Sequence, residues 1–116
     1  VPDSLPPVRL NVALFEWVIE NLCKNAVDAM GGVGVLVISV QETSRYWCID
    51  VADTGKGIDK RYFETVFAPG YTTKKRGWGL GLSLARRIVV EYHSGSIFVK
   101  QSEINKGTIF RIELKK

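Results

Sequence analysis

The residues best suited to chemistry begin with Asn21, Asn25 and Asp28, which are spaced three and four apart in an otherwise apolar helical segment. On a helical wheel they share an arc with the apolar residues Val18 and Leu22. A buried amide without a partner costs about 1–3 kcal/mol, so something must satisfy these groups. From this helix alone, two interpretations stay open: a structural hydrogen-bond network, or an Mg²⁺ and phosphate site that uses an asparagine oxygen as a hard ligand.

A second polar position follows a predicted strand. Ile49 and Val51 share one face of that strand, and Asp53 continues the same face just beyond its end. The carboxylate is therefore expected to point inward, where it needs a hydrogen-bond donor. Gly55 and Gly57 remove side chains, so that a flat ligand could approach the backbone. The alternative is an aspartate that caps a turn by accepting from the next amides.

A glycine-rich loop opens the second predicted helix. Gly77, Gly79 and Gly81 alternate with larger residues, so backbone amides and the positive helix end could meet phosphate oxygens. The spacing is not a dinucleotide fingerprint, and the chain has no Walker A sequence. A polar segment precedes the loop and is interpreted as a mobile lid that offers hydroxyls and positive charge; it contains Thr72, Thr73, Lys74, Lys75 and Arg76.

Two further polar residues need an interpretation. Thr108 lies on the same strand face as Phe110 and Ile112, so its hydroxyl is expected to face the pocket. His93, the only histidine, lies in a helix-ending segment followed by Gly95. We interpret it as a capping residue and reject a role as phosphoacceptor or catalytic base.

The pattern of apolar residues and turn signals predicts helices interleaved with mostly antiparallel hairpins. Asn11 caps a helix that runs to about Met30, where Gly31 and Gly32 stop it, and Asp59 caps a short second helix. The remaining predicted elements are a short strand at 8–10, strands at 33–40 and 46–52, a helix at about 80–92, and strands at 96–101 and 108–114. Helices are expected to cover one face of the sheet. The predicted fold is therefore a two-layer α/β sandwich.

Length, composition and charge limit the number of domains and the class of ligand. The chain has 116 residues, a hydrophobic fraction of 46% and a net charge of +4, which fit one domain with one core. The basic central stretch suits an anionic ligand, and no nucleic-acid motif accompanies it. Cys23 and Cys48 are expected to be reduced thiols within apolar segments, in a cytoplasmic setting. No apolar run is long enough to span a bilayer, and the N-terminus does not look like a signal peptide, so the piece is expected to be soluble.

The order of the three segments, Glu20–Ala26, Asp53–Ile58 and Gly77–Leu82, resembles the ATP-binding catalytic domain of bacterial sensor histidine kinases, within the GHKL superfamily of gyrase, Hsp90, histidine kinase and MutL. The resemblance covers about Val8 to Leu114. It implies the Bergerat ATP-binding fold, with a mixed, mostly antiparallel sheet, and a single domain over residues 1–116 that is a fragment of a longer kinase. Val1–Pro7 reads as an extended lead-in.

The resemblance also implies roles for individual residues, with ATP and Mg²⁺ as the ligands. Asn25 would coordinate Mg²⁺, and Asn21 and Lys24 would place the phosphates as catalytic residues. Asp53 would accept a hydrogen bond from the exocyclic amine of adenine. The other implied nucleotide-binding residues are Asp28, Gly55, Gly57, Ile58, Thr72, Thr73, Lys74, Gly77, Gly79, Leu80, Gly81, Leu82 and Thr108.

The helix also indicates which branch of the superfamily applies. ATP-hydrolysing relatives have a glutamate one helical turn before the Mg²⁺ asparagine, where this chain has Asn21. An amide cannot act as a general base, and Glu20 points about 100° away on the wheel. The resemblance therefore implies transfer of the γ-phosphoryl group to a histidine rather than rapid hydrolysis. A GHKL serine kinase of the anti-sigma type, a gyrase- or Hsp90-type ATPase, and a nucleotide-binding module without transfer activity remain alternatives.

The implied partners are ATP, a phosphoacceptor histidine on a separate hairpin domain absent from this chain, and a response regulator downstream. No nucleic-acid partner is expected, and the fragment is expected to be a monomer. The sequence leaves open whether the parent protein is anchored in the inner membrane. Trp78, at a place that often holds threonine or serine in the family, is interpreted as packing against the lid or the partner domain.

Overall fold

The computed structural model of this chain describes residues 11–68 and 81–115. The elements in chain order are helix α1 (Val12–Ala29), strands β1 (Leu36–Glu42) and β2 (Tyr46–Asp53), helix α2 (Gly81–Arg87), and strands β3 (Ser96–Glu103) and β4 (Gly107–Lys115). Helix α2 continues as a π-helical turn, Ile88–Tyr92, and two 3₁₀ turns lie between β2 and α2, at Lys60–Tyr62 and Thr65–Phe67. The strands pair antiparallel in the order β1-β2-β4-β3. The predicted two-layer α/β sandwich is confirmed.

The ends of α1 follow the sequence signals. Asn11 is its N-cap, and the side-chain Oδ1 accepts from the Leu14 N–H at 3.1 Å. Gly31 and Gly32 have φ values of 64° and 85° and stop the helix. The Gly32 N–H donates to the Val27 carbonyl at 3.0 Å and satisfies one of the last helical acceptors.

The core lies between the helices and one face of the sheet. Val18 and Leu22 of α1 are almost fully buried, as are Val51 of β2 and Ile112 of β4. Burying a side chain of this size contributes about 1.5–3 kcal/mol, so this contact between layers holds α1 across the strands. Phe67, on the second 3₁₀ turn, is also buried and packs edge-on against Phe110 at 6.1 Å between ring centroids.

Several element bounds differ from the sequence-based expectations, and three of the differences have a visible structural cause. β1 begins at Leu36 instead of Val33, because the chain first makes a turn in which the Val35 N–H donates to Thr54 Oγ1 at 3.0 Å. The predicted short helix after Asp59 is two 3₁₀ turns, although Asp59 does cap the first of them by accepting from the Arg61 N–H. β3 runs on to Glu103 through a β-bulge between Val99 and Gln101.

The two cysteines are free thiols. Cys48 is buried on β2 and Cys23 is half-buried on α1, and burial raises the pKa of both thiols. Within the described ranges, none of the helices is both long and apolar enough to cross a membrane. The predicted strand at 8–10 lies outside those ranges.

Candidate nucleotide site

The polar residues of α1 lie beside its buried apolar stripe. Asn21 and Asn25 are half-buried, as expected, whereas Lys24 and Asp28 are exposed. Asp28 therefore does not face the core, and the prediction that it shares the core-facing arc of α1 with Asn21 and Asn25 is wrong. A concavity of about 510 Å³ runs along the exposed side of the helix, and its described lining residues are Glu20, Cys23, Lys24, Val27 and Asp28.

Asn21 connects α1 to the start of α2. A methyl group added at Gly81 would lie 2.8 Å from Asn21 Nδ2 and 2.9 Å from Oδ1, so the backbone of α2 begins directly against this amide. Asn21 Nδ2 is buried and, in the described part of the chain, has no hydrogen-bond partner. An unpaired buried N–H costs about 1–3 kcal/mol, and an anionic acceptor at this point would remove that cost.

Asp53 lies at the end of β2 with its carboxylate pointing inward, as strand parity predicts. The residue is 8% exposed, and Oδ1 accepts from the Gly55 N–H at 2.8 Å. The backbone N–H of Thr108, on the neighbouring β4, also faces the carboxylate. Burial raises the pKa of Asp53, and the N–H groups of Gly55 and Thr108 oppose the shift. The turn-capping interpretation is correct, and it leaves part of the carboxylate able to accept from a ligand.

The two glycines after Asp53 make room for the protein's own backbone, and their predicted contact with a ligand stays a prediction. A methyl group at Gly55 would lie 2.6 Å from the carbonyl of Ala29, and the neighbouring Lys56 N–H donates to that carbonyl at 2.9 Å. A methyl group at Gly57, whose φ is +77°, would overlap the backbone of Glu103. These approaches fix the segment from Asp53 to Ile58 against the end of α1 and the β3–β4 turn.

A serine that the sequence analysis missed completes this end of the site. Ser102 Oγ accepts from the Ile58 N–H at 2.7 Å, donates to the Gly107 carbonyl at 3.1 Å, and lies 2.7 Å from Thr108 Oγ1. Strand parity would place Gln101 on the inner face, but the bulge after Val99 shifts the register and sets Ser102 opposite Thr108. No sequence signal marked that bulge.

The remaining predicted residues divide into two groups. Gly81 and Leu82 open α2, and Leu82 packs partly buried against the core. Outside the described residues lie Thr72, Thr73, Lys74, Gly77, Gly79 and Leu80, together with Trp78. In the described part of the chain, no cluster of three or more His, Cys, Asp or Glu residues could hold a metal ion.

His93 joins the ends of two helices, in keeping with its predicted capping role. It follows the π-helical turn directly; its Nδ1 lies 3.1 Å from the Ile88 carbonyl and its Nε2 accepts from the Asn11 N–H at 3.0 Å. Because a carbonyl can only accept, Nδ1 carries the proton in this arrangement. The ring also packs edge-on against Phe15.

Comparison with known proteins identifies the class to which this fold and site belong. Residues 11–116 match the family described as histidine kinase-, DNA gyrase B-, and HSP90-like ATPase, and the chain belongs to that family.

Individual relatives are sensor kinases. Sensor histidine kinase ZraS of Escherichia coli (strain K12) is 38% identical over 112 residues, which are 97% of this chain and 24% of that protein. Sporulation kinase C of Bacillus subtilis (strain 168) is 37% identical over 97 residues, 84% of this chain and 22% of that protein. The chain thus spans about a quarter of the length of these relatives.

Solved structures agree with this. The catalytic domain of histidine kinase ThkA superposes with a TM-score of 0.82 at 32% identity, covering 94% of this chain and 70% of that one. ThkA in complex with the response regulator protein TrrA superposes with a TM-score of 0.81 at 28% identity, covering 98% of this chain and 32% of that one. The chain is therefore a histidine-kinase-type ATP-binding domain.

Proposed function

We propose that the chain is the catalytic domain of a two-component sensor histidine kinase, which binds ATP with Mg²⁺ and supplies the γ-phosphoryl group to a histidine on a separate hairpin domain. The observation that carries the proposal is the contact between Gly81 and Asn21. It brings the start of α2 against a buried amide that has no hydrogen-bond partner among the described residues, and Asp53 offers a buried acceptor at the end of β2.

The described residues suit the two ends of ATP differently. At the base end, Asp53 would accept from the exocyclic amine of adenine, with Ile58 and Thr108 beside it. At the phosphate end, Asn21 Nδ2 would donate to a phosphate oxygen, and the exposed Lys24 would add positive charge. The lid and glycine residues from Thr72 to Leu80 would contribute there as well.

Mg²⁺ fits the donor set around Asn25. This half-buried residue offers a neutral hard oxygen one helical turn after Asn21, and no carboxylate cluster in the described ranges competes with it. Asn25 would hold the ion together with phosphate oxygens and waters, which is how Mg²⁺ is commonly bound. The bound ion would neutralise charge on the phosphates.

Phosphoryl transfer is favoured over hydrolysis because an amide stands on α1 at the position where a general base for water is expected. Asn21 holds the relevant place on α1, and Glu20 is exposed. In the proposed reaction, a nitrogen of the hairpin histidine forms a bond to the γ-phosphorus. The bond from that phosphorus to the β–γ bridging oxygen breaks, and ADP leaves.

The partners and location follow from this function. We expect ATP, the hairpin of the same protein and a downstream response regulator as partners, with no nucleic acid. We expect the catalytic domain to be cytoplasmic and monomeric in isolation. Size measurement by light scattering at increasing protein concentration tests the monomer.

Calorimetric titration tests nucleotide binding. A non-hydrolysable ATP analogue is titrated into the 116-residue chain with and without Mg²⁺, and into the variant Asp53→Asn. We expect binding that strengthens with Mg²⁺ and weakens at least about tenfold in the variant, because the replacing amide offers a donor at one position where the carboxylate accepts. Absence of binding by the folded wild type would reject the proposal in favour of a module without kinase activity.

A further inference from the structure

The hydroxyl of Ser102 lies where three parts of the base end meet. It accepts from the Ile58 N–H at 2.7 Å, donates to the Gly107 carbonyl at 3.1 Å and contacts Thr108 Oγ1 at 2.7 Å. Thr108 is 4% exposed and pairs across the sheet with Asp53, and its N–H faces the Asp53 carboxylate. One small side chain thus connects the turn after β2, the start of β4 and the buried carboxylate.

The hydrogen count at this point fixes a direction for each bond. A serine hydroxyl has one proton to donate and two lone pairs that accept. If the Ser102 proton goes to the Gly107 carbonyl, the hydroxyl accepts from both Ile58 and Thr108, and its capacity is filled. The Thr108 proton is then used, so Thr108 Oγ1 has only lone pairs left to offer.

This arrangement makes the base end a set of acceptors. Asp53 contributes carboxylate oxygens and Thr108 contributes a hydroxyl oxygen whose proton is already engaged. Acceptors match a purine that carries an amino group at position 6, and they oppose a purine with an oxo group there. Without Ser102, the Thr108 hydroxyl could turn and donate to an oxo group, and the Ile58 turn would lose its side-chain tether.

We propose that Ser102 is a positioning and specificity-determining residue, which orients Thr108 as an acceptor and holds the Ile58 turn so that the site selects 6-amino over 6-oxo purine nucleotides. This inference rests on the proposed function, since it assigns the base end to adenine. Ser102 acts through Thr108 and Ile58, at the end of the site assigned to the base. It is therefore expected to affect the choice between nucleotides.

The test compares the affinities of ATP and inosine triphosphate, each with Mg²⁺, for the wild type and for Ser102→Ala. We expect the wild type to bind ATP more tightly than inosine triphosphate. In Ser102→Ala, the ratio of the two affinities should fall about fivefold, which is the effect of one net hydrogen bond. Ser102→Thr retains the hydroxyl and should restore the preference. Ser39→Ala makes the same chemical change at a half-buried position of β1 away from this network, and should leave the preference unchanged.

Amide hydrogen exchange without nucleotide provides a second readout. Ser102→Ala should accelerate exchange of the Ile58 amide about fivefold relative to amides in α1, because that amide loses its acceptor. An unchanged preference for ATP, or a proportional loss of both affinities, would overturn this inference while the proposed function stands. If the wild type bound neither nucleotide, the proposed function would fail together with the inference, whatever the exchange rate.

Discussion

Two aspartates on β2 show how the surroundings of a residue decide its use. Asp50 lies on the outer face of the sheet and accepts from Arg111 Nε and Nη2 at 2.7 and 2.9 Å; these bonds hold the pKa of Asp50 below its usual range. Asp53 lies on the inner face, and burial raises its pKa. The Asp50 carboxylate is paired with the charge of Arg111, whereas among the described residues the Asp53 carboxylate meets only backbone donors, so Asp53 fits a ligand better.

The Asp50–Arg111 pair leads to a prediction on stability. Asp50→Asn should lower the free energy of unfolding at pH 7 by about 2 kcal/mol, because it removes a charge-assisted, bidentate pair and leaves Arg111 without its main partner. The folded-state pKa of Asp50 is depressed, so its stabilisation is present above the unfolded pKa and is lost as pH falls through the folded value. Urea unfolding should therefore show the difference from wild type shrinking below about pH 4.

The matched control for this prediction is Glu91→Gln. Glu91 pairs with Arg87 at 3.6 Å, but both side chains are more than half exposed. Such a pair contributes little, so no measurable change in unfolding is expected. Equal losses in the two variants would show that the burial of Asp50 has no special effect.

At the scale of elements, His93 links the helix layer in a way that can be tested. His93→Phe should keep the aromatic contact with Phe15 but lose the hydrogen bonds to the Asn11 N–H and the Ile88 carbonyl. We expect the free energy of unfolding to fall by about 1–2 kcal/mol, with faster amide exchange at the start of α1. Tyr92→Phe removes a polar group from the exposed neighbour and should change neither quantity.

A substitution at the contact between α1 and α2 should change nucleotide affinity without lowering the stability of the fold. Gly81→Ala would place a methyl group 2.8 Å from Asn21 Nδ2 and displace that amide. The affinity for an ATP analogue should fall at least about tenfold, while unfolding should require no less urea, because alanine is the better helix former. Leu84→Ala, at an exposed position of α2, serves as the control for binding. Unchanged affinity in Gly81→Ala would remove this contact from the site.

Local signals account for what the sequence predicted at this scale. The Asn11 cap, the Gly31 stop and the inward direction of Asp53 each depend on a few neighbouring residues, and each is confirmed. The position of Ser102 could not be predicted, because it depends on a bulge that reverses strand parity. The packing of Gly57 on Glu103 could not be predicted either, because it depends on backbone contact between segments that are distant in sequence.

At the scale of the whole molecule, the topology collects the base end of the site from three elements. β2 ends at Asp53, the antiparallel β4 begins beside it, and the end of α1 lies against the turn that follows β2. The other face of the sheet carries Asp50 and Arg111, with Lys100 3.7 Å from Asp50. One face thus holds the helices and the site, and the other is stabilised by paired charges.

The absence of a second histidine gives the last prediction. The sequence contains one histidine, and both ring nitrogens of His93 have hydrogen-bond partners inside the helix layer. A nitrogen in such a bond has no lone pair directed at an incoming phosphorus, so the chain incubated with γ-labelled ATP and Mg²⁺ should remain unlabelled. Addition of a histidine-bearing hairpin domain of a sensor kinase should produce label on the hairpin alone, and His93→Phe should transfer as well as wild type. Label on the isolated chain that disappears in His93→Phe would instead make His93 a phosphoacceptor and contradict transfer to a separate domain.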